Sequence, residues 1–149
     1  MTSRRRITAA LVGLVALVVL GWLARDLFAG GGQAGPSACS TASAQSAVPG
    51  AADSKLQVCP LSSLPKEAGN TWQTIRAGGP YKYPKNDNVD FFNREGILPS
   101  KNRGYYREFT VPTPGENTRG ARRLVTGKTG EVYYTGDHYK SFIVVDTSR

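Results

Sequence analysis

Five side chains in the second half of the chain have the types needed to move protons and hold an anion. Glu108 is a carboxylate inside an aromatic and β-branched run, Arg119, Arg122 and Arg123 cluster soon after it, and His138 is the only histidine. A carboxylate base, an imidazole acid and guanidiniums together supply what phosphodiester cleavage needs. They remove one proton, donate another and neutralise the phosphoryl oxygens. Taken singly, each residue has a plainer explanation. A lone histidine is usually structural, a strand carboxylate beside arginines is often only an ion pair, and clustered arginines often form a solvated face.

The element that must position Glu108 is the run Asn102-Arg-Gly-Tyr-Tyr-Arg-Glu-Phe-Thr-Val-Pro112, which reads as one β-strand opened by Gly104 and closed by Pro112. Strand alternation puts Tyr105, Arg107, Phe109 and Val111 on one face, expected toward the core. It puts Tyr106, Glu108 and Thr110 on the other, where a carboxylate in mid-sheet needs arginines or a ligand. In the strand expected at 122–126, Leu124 turns to the core and takes Arg122 to that side, near an edge where its head reaches water. Arg123 then falls on the exposed face with Glu108. Tyr134-Thr-Gly-Asp-His138 reads as a turn at the sheet margin, from which a loop can reach over that face.

The other elements follow from punctuation and periodicity. A helix is expected over 61–77, with Ser62-Ser63 before it, Pro65 in its first turn and Gly78-Gly79-Pro80 as its stop. Leu64, Ala68, Trp72 and Ile75 form its apolar stripe. Val89 to Phe92 suggests a short strand, residues 93–96 a polar loop, and 131–135 and 141–146 two further strands. Gly127 to Gly130 forms a hairpin loop. The expected fold is α+β: one N-terminal helix packed on a mainly antiparallel sheet of about five strands.

The 149 residues carry 19 Lys+Arg against 11 Asp+Glu, a formal charge of +8. From Cys59 onward there are 14 basic and 9 acidic residues, so +5 of it lies in that part. A basic domain favours polyanionic partners, although surface cations also serve solubility alone. At the N-terminus Arg4-Arg5-Arg6 precedes an apolar run from Ile7 to Ala24, which as a helix spans roughly 27 Å. Residues 1–29 therefore read as a signal peptide or an uncleaved signal anchor, with the remainder outside. The product is extracellular, or tethered to the outer face of the cytoplasmic membrane by that segment. Residues 30–54, rich in Gly, Ala, Ser and Pro, are expected to be a flexible linker, and residues 55–149 the folded domain. Cys39 and Cys59 suit an exported protein, either bridged to each other, unpaired, or paired between chains. Two cysteines and one histidine lack metal-site spacing, and no metal or cofactor is expected.

Several segments together carry a family resemblance. They are Leu-Ser-Ser-Leu-Pro at 61–65, Gly-Gly-Pro-Tyr at 78–81, Phe-Asn-Arg-Glu at 92–95, Gly-Tyr-Tyr-Arg-Glu-Phe-Thr-Val at 104–111, Thr-Arg-Gly-Ala-Arg-Arg at 118–123 and Tyr-Tyr-Thr-Gly-Asp-His-Tyr at 133–139. From Cys59 to Asp146, about 60% of the chain, it resembles the secreted guanyl-specific ribonucleases of Streptomyces type, within the barnase-like group. The resemblance implies a metal-independent endonuclease, acting as a monomer on single-stranded RNA. It would cut 3′ of guanosine through a 2′,3′-cyclic phosphate to a 3′-phosphate. Glu108 matches the general base, His138 the general acid, and Arg119 and Arg123 the phosphate-neutralising cations. Tyr139 matches a phosphate-contacting hydroxyl. Glu95 matches the carboxylate that reads guanine, with backbone amides around Asn93 and Arg94 facing O6 and Phe91 packing on the base. A small acidic barstar-type inhibitor is the partner such enzymes suggest. The alternative is an inactive tethered module that keeps the fold and binds RNA or another polyanion. Two departures stand out. Those relatives pair the cysteine near the domain start with one at the C-terminus, whereas this chain ends Asp146-Thr-Ser-Arg149. Phe92 also stands where they usually carry a polar residue.

Overall fold

In the computed structural model, residues 39–40 and 47–149 are described. The apolar segment expected at 1–29 and most of the linker expected at 30–54 lie outside them. A short helix α1 (Ala51–Ser54) comes first, followed by strand β1 (Val58–Pro60), a 3-10 turn (Leu61–Ser63) and the main helix α2 (Lys66–Ala77). Five strands complete the chain: β2 (Val89–Phe91), β3 (Tyr106–Thr110), β4 (Arg123–Gly127), β5 (Val132–Thr135) and β6 (Ile143–Asp146). They form one six-stranded sheet in the order β1-β6-β5-β4-β3-β2. All neighbours are antiparallel except β1 and β6.

The α+β architecture agrees with the sequence reading, and three details correct it. The sheet has six strands, because β1 pairs in parallel with β6 through Val58↔Val144 and Cys59↔Val145. Three residues ending in Pro60 are too short for a period-2 pattern, and proline suits an edge strand. The helix starts at Lys66, since Leu61–Ser63 close a separate 3-10 turn, Leu64 is extended and Pro65 has a non-helical ψ of 139. Helix α2 ends as expected. Gly78 is left-handed at φ 76, and the Gly78 and Gly79 amides bond the carbonyls of Ile75 and Thr74. Finally, residues 47–54 belong to the folded body. Ala51 is fully buried and Val48 packs beside it, so small residues there fill space rather than supply flexibility.

Both faces of the sheet are covered, and this sets the site. On one face α2 lays Ala68, Trp72 and Ile75, with Leu64 from the segment just before it, over Val111, Leu124, Val132 and Val145. On the other, Tyr106, Val125, Tyr133 and Val144 meet Ala51, Leu98 and Phe142. Each well-buried side chain of this size contributes about 1.5–3 kcal/mol. Tyr106 is therefore core, contrary to its expected exposure. Arg107, expected on the core side, is instead 47% exposed near the β2 edge, where it pairs with Asp90 at 3.1 Å. The Cys39–Cys59 bridge is present and ties residue 39 to β1, where Ser40 and Val58 exchange backbone hydrogen bonds.

Candidate active site

Glu108 lies at the middle of β3, opposite Val89 on β2 and Val125 on β4. Alternation places it on the same face as Tyr106 and Thr110. Thr110 pairs with Arg123, so Arg123 shares that face, as the sequence implies. The face is not an open one at this point, because Arg123 is only 2% exposed. One nitrogen of its guanidinium donates to the carbonyls of Arg122 at 2.7 Å and Gly120 at 2.9 Å. Its Nε has no partner among the described residues. Arg119 is anchored by Nε donating to Thr110 Oγ1 at 2.9 Å. Among the described residues neither guanidinium is paired with a carboxylate. Two unneutralised cations beside a partly buried carboxylate make a site suited to an anion with several oxygens.

Tyr139 joins these groups. Its hydroxyl donates a short hydrogen bond to Glu108 Oε2. Its ring centroid lies 4.9 Å from that of His138, 5.3 Å from that of Phe91 and 5.9 Å from the Arg123 guanidinium carbon. Burial, followed by the bond to Glu108, pushes the phenol up to about 12. It therefore remains a neutral donor at any physiological pH.

His138 is exposed, and the backbone holds it. His138 and Tyr139 are both left-handed, at φ 60 and 73, a costly conformation for residues with a Cβ. Asp137 offsets that cost. Its carboxylate accepts from Thr135 Oγ1 at 2.9 Å and from the Ser141 amide and hydroxyl at 3.0 and 2.6 Å. The Ser141 hydroxyl in particular holds the Asp137 carboxyl below its usual value. Thr135 Oγ1 accepts from the Tyr139 amide at 3.1 Å, and the His138 amide bonds Ala121. Thr135, Asp137 and Ser141 are positioning residues that the sequence reading does not single out. The signal was present as an aspartate flanked by a hydroxyl residue two before it and another four after it.

A groove of about 800 Å³ runs along this face. It brings Phe91, Asn93, Arg94, Glu95, Glu108 and Tyr139 together. Arg119, Arg123 and His138 do not line it; they reach the Glu108 end through Thr110 and the Tyr139 ring. The Asn93 side chain is committed to its own loop. Its Nδ2 donates to the Leu98 carbonyl at 2.8 Å and its Oδ1 accepts from the Leu98 amide at 3.1 Å. Asn93 is also left-handed at φ 48. It shapes the loop, leaving the backbone and the exposed Glu95 to meet a ligand. Phe91 is 9% exposed and supports the floor against Tyr106 and Phe142.

A sheet carrying a carboxylate, two guanidiniums with no carboxylate partner among the described residues and an exposed imidazole at one end of a groove of about 800 Å³ defines a nuclease-type protein. A family model described as ribonuclease matches residues 47–146, and the chain belongs to that family. Within it, the chain is 56% identical over 82 residues to guanyl-specific ribonuclease St of Saccharopolyspora erythraea, covering 55% of this chain and 80% of that protein. It is 53% identical over 90 residues to guanyl-specific ribonuclease Sa of Kitasatospora aureofaciens, covering 60% and 92%. The fold is similar to the crystal structure of ribonuclease Sa2 with guanosine-2′-cyclophosphate. There the TM-score is 0.58 and the identity 47%, over 62% of this chain and 97% of that one.

Proposed function

We propose that the protein is an endoribonuclease that cleaves RNA on the 3′ side of guanosine, through a 2′,3′-cyclic phosphate, to a 3′-phosphate. What carries this reading is the single groove that joins the Glu108–Tyr139 pair to the 93–95 loop. Glu108, as carboxylate, removes the proton of the 2′-hydroxyl, which attacks the adjacent phosphorus. His138, as imidazolium, protonates the departing 5′-oxygen. In the second step the roles exchange: His138 activates water and Glu108 returns the proton to the 2′-oxygen. Arg119 and Arg123 neutralise the charge that develops on the phosphoryl oxygens. Because Arg123 is already fixed by backbone carbonyls, its donors need no reorganisation as that charge appears. The Tyr139 hydroxyl holds the carboxylate and stands ready to contact the phosphate. DNA, which lacks the nucleophile, is not a substrate.

Guanine presents two adjacent donors, N1–H and N2–H, and one acceptor, O6. Glu95 accepts from the donors, while amides of the Asn93–Arg94 turn donate to O6. Adenine reverses that pattern and leaves those partners unpaired. Phe91 supports the base from below.

The enzyme acts outside the cell as a monomer, released or tethered according to the fate of residues 1–29, and mass spectrometry of the mature N-terminus decides between the two. Its excess of basic residues suits an acidic barstar-type inhibitor, for which titration calorimetry with barstar is the test. For the activity itself, the purified protein is incubated with dinucleoside phosphates in EDTA. GpN is cleaved well ahead of ApN, and cleavage no faster than that of Glu108→Ala would leave only a polyanion-binding module.

A further inference from the structure

Phe92 is not used by this mechanism, yet its ring is 49% exposed, a large apolar surface at the rim of the groove. Phe91, its neighbour, turns into the aromatic cluster under Tyr139, so Phe92 points away from that core. Two guanidiniums approach the Phe92 ring: Arg94 at 5.6 Å and Arg103 at 5.1 Å from its centroid. Among the described residues neither is paired with a carboxylate. Exposed cation–π contacts of this kind are weak, and a stacking base can displace one of them. The freed guanidinium then has a phosphate within reach. An aromatic ring interleaved with unpaired arginines is the surface chemistry of a single-stranded nucleic-acid platform.

We propose that Phe92 is a second base-binding subsite, which stacks the nucleotide immediately 5′ of the bound guanosine while Arg103 engages the intervening phosphate. The inference rests on guanosine occupying the groove as described above. The direction follows from the position of the site. The scissile phosphate lies 3′ of guanosine, at the end held by Glu108, Arg123 and His138. The leaving nucleoside continues beyond it. The 5′ extension is the part of the strand that those residues do not engage, and in this assignment it passes the 93–95 loop, where Phe92 lines the groove and Arg94 and Arg103 flank its ring. The enzyme thus reads a short single strand rather than an isolated guanosine. It favours a preceding base with a large stacking face, whatever its hydrogen-bonding edge.

The test compares kcat/KM for ApGpC and GpC, in EDTA, for the wild type, Phe92→Ala, Phe92→Trp and Arg103→Ala. Taking the ratio cancels any effect common to both substrates. The wild-type ratio is expected to be about tenfold, as stacking on one exposed ring allows. Phe92→Ala brings it close to one, and Phe92→Trp preserves it. Arg103→Ala lowers it most at low salt. A third substrate with an abasic residue in place of the 5′ adenosine separates the contributions, keeping the Arg103 effect and losing the Phe92 effect. A wild-type ratio near one, or a ratio unchanged in Phe92→Ala, overturns the proposal. If Phe92→Ala instead weakens only the binding of an acidic inhibitor protein, the ring belongs to a protein interface and the proposal is equally overturned. Failure of the wild type to cleave GpC at all would count against guanosine cleavage itself, a result distinct from an unchanged ratio.

Discussion

Asn93 separates loop shape from catalysis, and its replacement has a calculable effect. Its side chain makes two hydrogen bonds to the Leu98 backbone, at 2.8 and 3.1 Å, and its own backbone is left-handed at φ 48. Each such bond contributes about 1 kcal/mol net, so removing both costs the ordered loop about 2 kcal/mol. Asn93→Gly loses the two bonds but adopts the backbone freely. Asn93→Ala also bears about 1 kcal/mol or more for a Cβ in left-handed conformation. If only the ordered loop binds guanine, 2 kcal/mol is roughly a 30-fold loss in kcat/KM for GpC. Asn93→Ala then loses several-fold more than Asn93→Gly. The loss falls on KM, because Glu108, His138 and the arginines are untouched. Selectivity for GpC over ApC falls in step. Steady-state kinetics of both dinucleotides with both variants measures this. Unchanged KM and selectivity in Asn93→Ala would refute the idea that the Leu98 clamp builds the guanine loop. So would a loss confined to kcat.

Arg119→Ala lowers kcat by about 100-fold with little change in urea midpoint, because the lost donors act on developing charge and Arg119 is not a core group; a change of less than threefold contradicts its role. Replacing both Cys39 and Cys59 by serine opens a loop with a sequence separation of 20 and costs about 3 kcal/mol in a urea melt, with kcat retained. Asp137→Asn weakens the turn that holds His138, so kcat falls about tenfold while KM for GpC stays within twofold; equal damage to both would assign Asp137 to general stability. Glu131 is buried; burial raises its carboxyl, but donors from Tyr105 and Thr129 outweigh this and hold it below its usual value. A carboxyl lowered on folding stabilises the protein above its unfolded value and loses that contribution as pH falls through the folded value. Urea midpoints of the wild type therefore drop on acidification below about pH 4.3. Glu131→Gln shows a smaller drop, and identical slopes would sink the assignment.

Much of the site was legible in the sequence because β-alternation is rigid. Glu108 and Arg123 sit in adjacent strands at positions that must share a face, and the structure keeps that parity. The same alternation misjudged Tyr106 and Arg107. A two-sided core cannot be seen from one strand, and Arg107 lies where β2 ends the sheet and water is near. β1 escaped notice because parallel pairing with β6 joins residues more than 80 positions apart, with no local pattern to announce it. The folded body begins earlier than composition suggests, because Gly, Ala and Ser serve tight packing as readily as flexibility. Ala51 is buried against the sheet by shape, which composition does not report. Least legible was the hold on His138. Left-handed backbone at two non-glycine residues depends on bonds from Thr135 and Asp137 that only the folded turn brings together.

The central claim is that Glu108 initiates cleavage by taking the proton of the 2′-hydroxyl. It is tested most directly by following GpC turnover in EDTA by phosphorus NMR, for the wild type and Glu108→Gln, with 2′-deoxyguanosine-containing dinucleotide alongside. The account predicts a 2′,3′-cyclic phosphate signal that rises and then decays to 3′-phosphate. It also predicts no reaction of the deoxy substrate and a loss of at least about 100-fold in Glu108→Gln. A 5′-phosphate product without the cyclic intermediate, or Glu108→Gln turning over at the wild-type rate, would contradict it.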